Sequence, residues 1–257
     1  MGVQTRKLYE PVAYLRKDRS GAASDALHNF SWVTTFQQMF SDSSNVCSFG
    51  FEANERHTPR LHNLQACYQR KGHRARFFTE TAASDTNGTL TFYRDPVFAK
   101  KAEWAASLMR HGRSGGKMPP RQVAAVDLAA WIAHHILQRR IPHGDGGGPP
   151  QVVMKLDIEG AEYQVLRRML ELDTFCNEDS KRRIQLVVLE WHLHFLSQVN
   201  GKSVECESIQ KCVQATQLMQ KVRAINGSKK HCTKFVEADD DSYMFDSTES
   251  LDLSTCS

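Results

Sequence analysis

The hydrophobic period of this chain changes abruptly within Val152-Val153-Met154-Lys155-Leu156-Asp157-Ile158-Glu159-Gly160-Ala161-Glu162-Tyr163. Gln151 to Leu156 is short and mostly apolar, the pattern of a parallel strand covered on both faces. From Ala161 the spacing is helical: Val165, Leu166, Met169 and Leu170 recur on one stripe. Glu162 falls in the first turn, where the helix dipole favours an acid. The strand therefore ends on Asp157 and turns through Gly160 into a helix. Ligands of open α/β sheets bind at the carboxyl ends of strands, so Asp157 and Glu159 stand where a cofactor or substrate would lie. The plain alternative is a strand-to-helix turn with acids at the helix start.

The same alternation runs through the rest of the chain. Val46 to Phe51 reads as a strand ending at Glu52-Ala53-Asn54, and Thr58 to Arg70 as a helix with Leu61, Leu64 and Tyr68 on one stripe. Ala75 to Thr79 is the next strand and Thr81 to Asp85 a loop. Asn87-Gly88 between alternating segments signals a β-hairpin with Thr89 to Tyr93 as its return strand. Phe98 to Gly116 is a charged, partly helical insertion. Val123 to Asp127 is extended, Leu128 to Gln138 helical, and Pro142 to Pro150 a Gly- and Pro-rich connection. Ile184 to Leu189 is another apolar strand, ending at Glu190-Trp191-His192. A helix over Ser208 to Lys221 follows. Lys234 to Val236 and Tyr243 to Phe245 form a terminal antiparallel pair, and the Ser- and Thr-rich tail over 246–257 is disordered. Strands alternating with helices predict one doubly wound, mostly parallel sheet with helices on both faces.

Composition removes several function classes. The 257 residues suit one or two domains, and the formal net charge is only +4. Lys and Arg are scattered, with no basic stripe interleaved with aromatics, so nucleic acid is not an expected partner. No run reaches the roughly 18 apolar residues of a membrane span. The first residues lack the apolar centre of a signal peptide, which places the protein in the cytoplasm by default unless a targeting segment is missing from this chain. Seven cysteines, an odd number with no two-residue gap between any pair, predict free thiols in a reducing compartment. A disulfide among Cys206, Cys212 and Cys232 is the alternative. Asn87-Gly88-Thr89 and Asn226-Gly227-Ser228 fit the glycosylation sequon, and equally ordinary Asn-Gly turns, the reading preferred here.

Glu190 and His192 lie two apart, so on a strand they face the same way. A histidine there can take the proton from a substrate hydroxyl. It can also join Asp157 and Glu190 around a divalent metal, since carboxylates and imidazole suit several metals. Or it caps the sheet and does no chemistry.

The run Lys155-Leu156-Asp157-Ile158-Glu159-Gly160-Ala161-Glu162 resembles, position by position, the signature of the FkbM family of S-adenosylmethionine-dependent methyltransferases. The resemblance covers about Val46 to Phe245. It implies a Rossmann-like class I methyltransferase domain over 1–245, with S-adenosylmethionine as cofactor and a small-molecule or glycan acceptor methylated on a sugar or polyol hydroxyl. Phe49-Gly50-Phe51-Glu52-Ala53-Asn54 is similar to the family segment whose glutamate binds the cofactor's ribose, which implicates Glu52 and Asn54. Ala82-Ala83-Ser84-Asp85 is similar to the segment beside the adenine, which implicates Ala83 and Asp85. On the acceptor side the family places an acid and a histidine, here Glu190 and His192, beside Asp157 and Glu159. One segment departs from the pattern. After the candidate first strand, Pro11 to Leu15, only Gly21-Ala22 matches the expected glycine-rich turn, and Arg16 and Lys17 stand where an acid and a glycine belong. The first strand is then either missing from the chain or degenerate. Two readings accordingly stay beside methyl transfer: a non-catalytic relative acting as a binding module, and a metal-dependent hydrolase or transferase using Asp157, Glu190 and His192.

Overall fold

The computed structural model describes residues 9, 32–40, 45–92, 120–140, 149–158, 160–176, 182–192, 198–199, 202–203, 209–228 and 232–237. The expected strand over 11–15, Gly21, the insertion over 98–116, most of the connection over 142–150, Glu159, the strand over 243–245 and the tail lie outside these residues. The chain divides into two compact units, Met1–Glu80 with Ala238–Ser257, and Thr81–Glu237. The described elements make a mixed α/β fold of helices and largely parallel sheets, with no closed barrel among the described residues.

In the first unit, helix α1 (Trp32–Met39) precedes strand β1 (Cys47–Glu52), helix α2 (Thr58–Arg70) and strand β2 (Arg74–Thr79). A single 3-10 turn, Glu55–His57, leads into α2, and the Asn54 side chain caps it by accepting from the Arg56 amide at 3.1 Å. The helix ends where Gly72 takes φ 82°, with Gly72 N–H donating to Gln69 O and His73 N–H to Tyr68 O. Those two bonds make a Schellman cap, and the left-handed conformation they require suits glycine. The crossover through α2 lets β1 and β2 pair in parallel, from Cys47 opposite Arg74 to Glu52 opposite Thr79. Leu61, Leu64 and Tyr68 on the apolar face of α2 pack with Tyr9, Ala75 and Phe77, as the helical stripe predicts.

In the second unit, strands β3 (Thr81–Ser84) and β4 (Gly88–Phe92) both pair with β5 (Arg121–Asp127), β3 in parallel and β4 antiparallel. This corrects two expectations. Thr81 to Ser84 is a strand rather than a loop, and Asn87-Gly88 does not close a hairpin, because β5 lies between β3 and β4. The Asn87 side chain instead accepts from the Asp127 amide at 2.9 Å, which fixes the turn to the end of β5. Helix α3 (Leu128–Ile132) continues as a π-turn over Ala133–Leu137.

Strand β6 (Val153–Leu156), helix α4 (Glu162–Glu171) and strand β7 (Leu186–Leu189) follow. A short antiparallel pair, β8 (Gln198–Val199) and β9 (Lys202–Ser203), precedes helix α5 (Ile209–Ser228) and strand β10 (Lys234–Glu237). The order is β10-β7-β6 with every pairing parallel. All four residues of β7 are buried, as befits a central parallel strand. Lys234 to Val236 returns through α5 to lie parallel to β7, while its expected antiparallel partner over 243–245 lies outside the described residues. The helix runs past the expected Lys221, so Asn226-Gly227 lies in its last turn rather than in a tight turn. The Asn226 side chain both donates to Phe235 O and accepts from Phe235 N–H, docking α5 on β10.

The cysteines also differ from expectation. Cys176 is disulfide-bonded to Cys232, with Cα atoms 4.3 Å apart, and Cys67 is disulfide-bonded as well. The pairing follows from the topology. Thr233 N–H donates to Phe175 O and its hydroxyl to Ile184 O, which brings the start of β10 against the chain leaving α4. Free thiols throughout, and pairing of Cys232 with Cys206 or Cys212, are thereby overturned. Among the described residues Cys47 is free. No helix among the described residues is long and apolar enough to cross a membrane.

Candidate functional site

Strands β6 and β7 set the site. Leu156 pairs with Leu189, and the Glu190 amide extends the ladder by donating to Leu156 O at 3.1 Å. Asp157 and Glu190 therefore leave adjacent parallel strands at the same level. His192, two residues on, falls on the same side as Glu190. Its Nε2 lies 3.5 Å from Glu190 Oε1 and 3.8 Å from Asp157 Oδ1. One ligand atom from each of the three residues falls within 4.8 Å of the others.

Glu162 stands behind this group. It is fully buried in the first turn of α4, and its carboxylate accepts from three donors: Ile158 N–H, Gly160 N–H and His192 Nδ1, at 2.9, 2.9 and 2.8 Å. Gly160 reaches the carboxylate with φ 100°, a conformation that favours glycine. An ionised carboxylate only accepts, so the proton of the pair sits on His192 Nδ1. That leaves Nε2 as the nitrogen turned towards Asp157 and Glu190. The His192 side chain is only 8% exposed.

Lys155 completes the cluster. Its ammonium donates to Asp157 Oδ2 at 2.8 Å and lies 3.9 Å from Glu190 Oε2. Each carboxylate thus turns one oxygen to Lys155 and the other to His192. Tyr163 packs against Trp191 with ring centroids 5.1 Å apart. Burial, and then the Glu162 charge, push its hydroxyl well above the usual tyrosine range.

Among the described residues, the other expected site residues are not members of this cluster. Asp85 follows β3 in the second unit but is not a member of the cluster. It lies 3.6 Å from the Arg167 guanidinium of α4 and accepts from the Ser84 hydroxyl at 3.3 Å. Ala83 is buried within β3. In the first unit, Glu52 ends β1 and its Oε1 accepts from the Asn54 amide at 2.8 Å, while Asn54 is spent on the helical cap. Glu159 and Gly21 fall outside the described residues. Sequence reasoning gave Glu162 only a dipole role and Lys155 none. The available signal was an acid two residues after Gly160 and four after Ile158, close enough to reach back to both amides.

Asp127 is a second buried acid with a structural task. Its Oδ1 caps α3 by accepting from Ala130 N–H at 2.9 Å, and its Oδ2 accepts from Arg168 Nε of α4 at 3.0 Å. Arg167 and Arg168 thus anchor α4 to the residues ending β3 and β5, while Glu162 on the same helix orients the histidine.

Compared with family models, curated proteins and solved structures, the chain matches none.

Proposed function

We propose that the chain transfers a methyl group from S-adenosylmethionine to an oxygen acceptor, a sugar or other polyol hydroxyl, on a Rossmann-like class I methyltransferase domain. The observation that carries this reading is the buried Glu162–His192 pair at the carboxyl ends of β6 and β7, within the run Lys155 to Glu162 that resembles the FkbM signature. The cofactor supplies an activated methyl on a sulfonium, so that the C–O bond forms as the C–S bond breaks and the electron pair stays on sulfur. What remains for the protein is to align the acceptor and take its proton. The Asp157, Glu190 and His192 group is suited to that, because Glu162 fixes the imidazole tautomer and Lys155 pins Asp157.

For the donor, Glu52 fits a ribose diol: it is a carboxylate at the carboxyl end of a parallel strand, with its rotamer fixed by the Asn54 amide. Asp85 and Ala83 serve the adenine side, and Glu159 belongs with the acceptor group. Calorimetric titration of S-adenosylhomocysteine into the full chain, with Glu52→Ala beside it, tests the reading. Binding is expected, weakened in the variant by about tenfold or more, the range for losing a hydrogen bond to a charged group. Absence of binding to the wild-type chain would overturn methyl transfer and favour a non-catalytic binding module.

A further inference from the structure

We infer that Asp157, Glu190 and His192 form a binding site for a divalent first-row cation, with Zn2+ or Co2+ fitting best. Three observations point there independently of any cofactor. The first is the donor set. Two carboxylates and an imidazole converge from adjacent strand ends, with the contributed atoms within 4.8 Å of one another. The second is the support behind the imidazole. A metal-binding histidine characteristically donates its other ring N–H to a carboxylate, which fixes the tautomer and raises the basicity of the binding nitrogen. Glu162 does this for His192, and is itself fixed by the amides of Ile158 and Gly160. The third is charge: Asp157, Glu162 and Glu190 bring three carboxylates together around His192, beside the one ammonium of Lys155.

Spacing separates the cations. Neighbouring ligand atoms stand about 3.0 Å apart around an octahedral ion with 2.1 Å bonds, and about 3.4 Å apart around a tetrahedral one. His192 Nε2 is 3.5 Å from Glu190 and 3.8 Å from Asp157, nearer the tetrahedral value. Three protein ligands would leave a fourth position for water or an acceptor oxygen, the arrangement of catalytic rather than structural zinc sites. A cation there lowers the pKa of a bound hydroxyl. Nε2 would then be a ligand and not a base, and the acceptor would be deprotonated at the cation. The site does not depend on the methyl-transfer reading, because its ligands stand without the donor.

Co2+ is the probe, since a tetrahedral Co2+ site absorbs strongly in the visible. It would be titrated by calorimetry and absorption into the chelator-treated full chain, with folding checked by circular dichroism. One equivalent should bind with a visible band. His192→Ala should abolish the band, Asp157→Asn should weaken binding at least tenfold, and Glu162→Gln should weaken it about 10- to 100-fold through the imidazole. Should Glu162→Gln fail to fold, Asp157→Asn decides, because that side chain is partly exposed. No binding by the wild-type chain, or binding untouched by Asp157→Asn and His192→Ala, overturns the site. Co2+ binding without S-adenosylhomocysteine binding would sink the methyl-transfer reading and leave the cation site standing.

Discussion

Glu162 and His192, thirty residues apart in sequence, are joined by a 2.8 Å hydrogen bond between two buried side chains. The same carboxylate is the acceptor for two backbone amides of the preceding turn, so it ties the helix start, the loop and the end of β7 together. Glu162→Gln keeps the size but turns an amide NH2 towards one of those donors. We expect a loss of about 2–3 kcal/mol, the cost of leaving buried donors facing no acceptor. Urea unfolding followed by circular dichroism measures it, and an unchanged midpoint would mean that the carboxylate is not needed there.

The disulfide between Cys176 and Cys232 closes a sequence separation of 56 residues and staples the start of β10 to the chain leaving α4. Replacing both cysteines by serine should lower stability by about 4 kcal/mol on the chain-entropy account. Thermal unfolding of the double variant against the oxidised parent tests this. Such a bond forms and persists in oxidising surroundings, so quantifying thiols in protein isolated without reductant should detect the bonded pair as absent from the free count.

Asp127 serves two partners, the first turn of α3 and Arg168. Removing it leaves an uncapped helix and takes from Arg168 one of its two carboxylate partners, Glu171 being the other. Asp127→Ala should cost about 2 kcal/mol or more, read as a lower denaturant midpoint. Asp127→Asn, which can still cap the helix, should recover part of that loss. Equal losses in the two variants would remove the cap from the explanation.

Arg223 of α5 grips Glu237 at the end of β10 through two hydrogen bonds of 2.8 and 2.9 Å. The guanidinium holds the carboxyl below its ordinary value of 4.5. A carboxyl whose pKa is lower folded than unfolded stabilises the fold above the unfolded value. That contribution is lost as pH falls through the folded one. Both side chains are substantially exposed, so solvent and salt keep the effect small. Stability measured from pH 6 down to pH 3 should fall less steeply in Arg223→Ala than in the parent. Identical slopes would show that the pair contributes nothing.

Much of the architecture could be read from periodicity. The stripe Leu61, Leu64 and Tyr68 predicts α2, and the apolar runs before Asp157 and Glu190 predict β6 and β7. Asp157, Glu190 and His192 were legible as site candidates because strand ends are where parallel sheets bind ligands. What the sequence concealed was long-range. Thr81 to Ser84 is too small and too weakly patterned to announce a strand, and it becomes one only because β5 arrives from some forty residues later. The parallel return of β10 depends on the crossover through α5, and the Cys176–Cys232 pairing depends on that return. Glu162 was misjudged for the same reason. An acid in a first helical turn usually faces water, and its burial here is set by His192 and by the turn at Gly160.

The pairing of Leu156 with Leu189 has a consequence for folding. Side chains alternate along a strand, so a slip of β7 by one residue would send Glu190 and His192 to the opposite face of the sheet from Asp157. Glu162 would then have no imidazole to hold, and Asp157 would no longer face His192. The cluster therefore acts as a gauge of strand register: a chain that captures a cation there has, by that fact, aligned its central strands correctly.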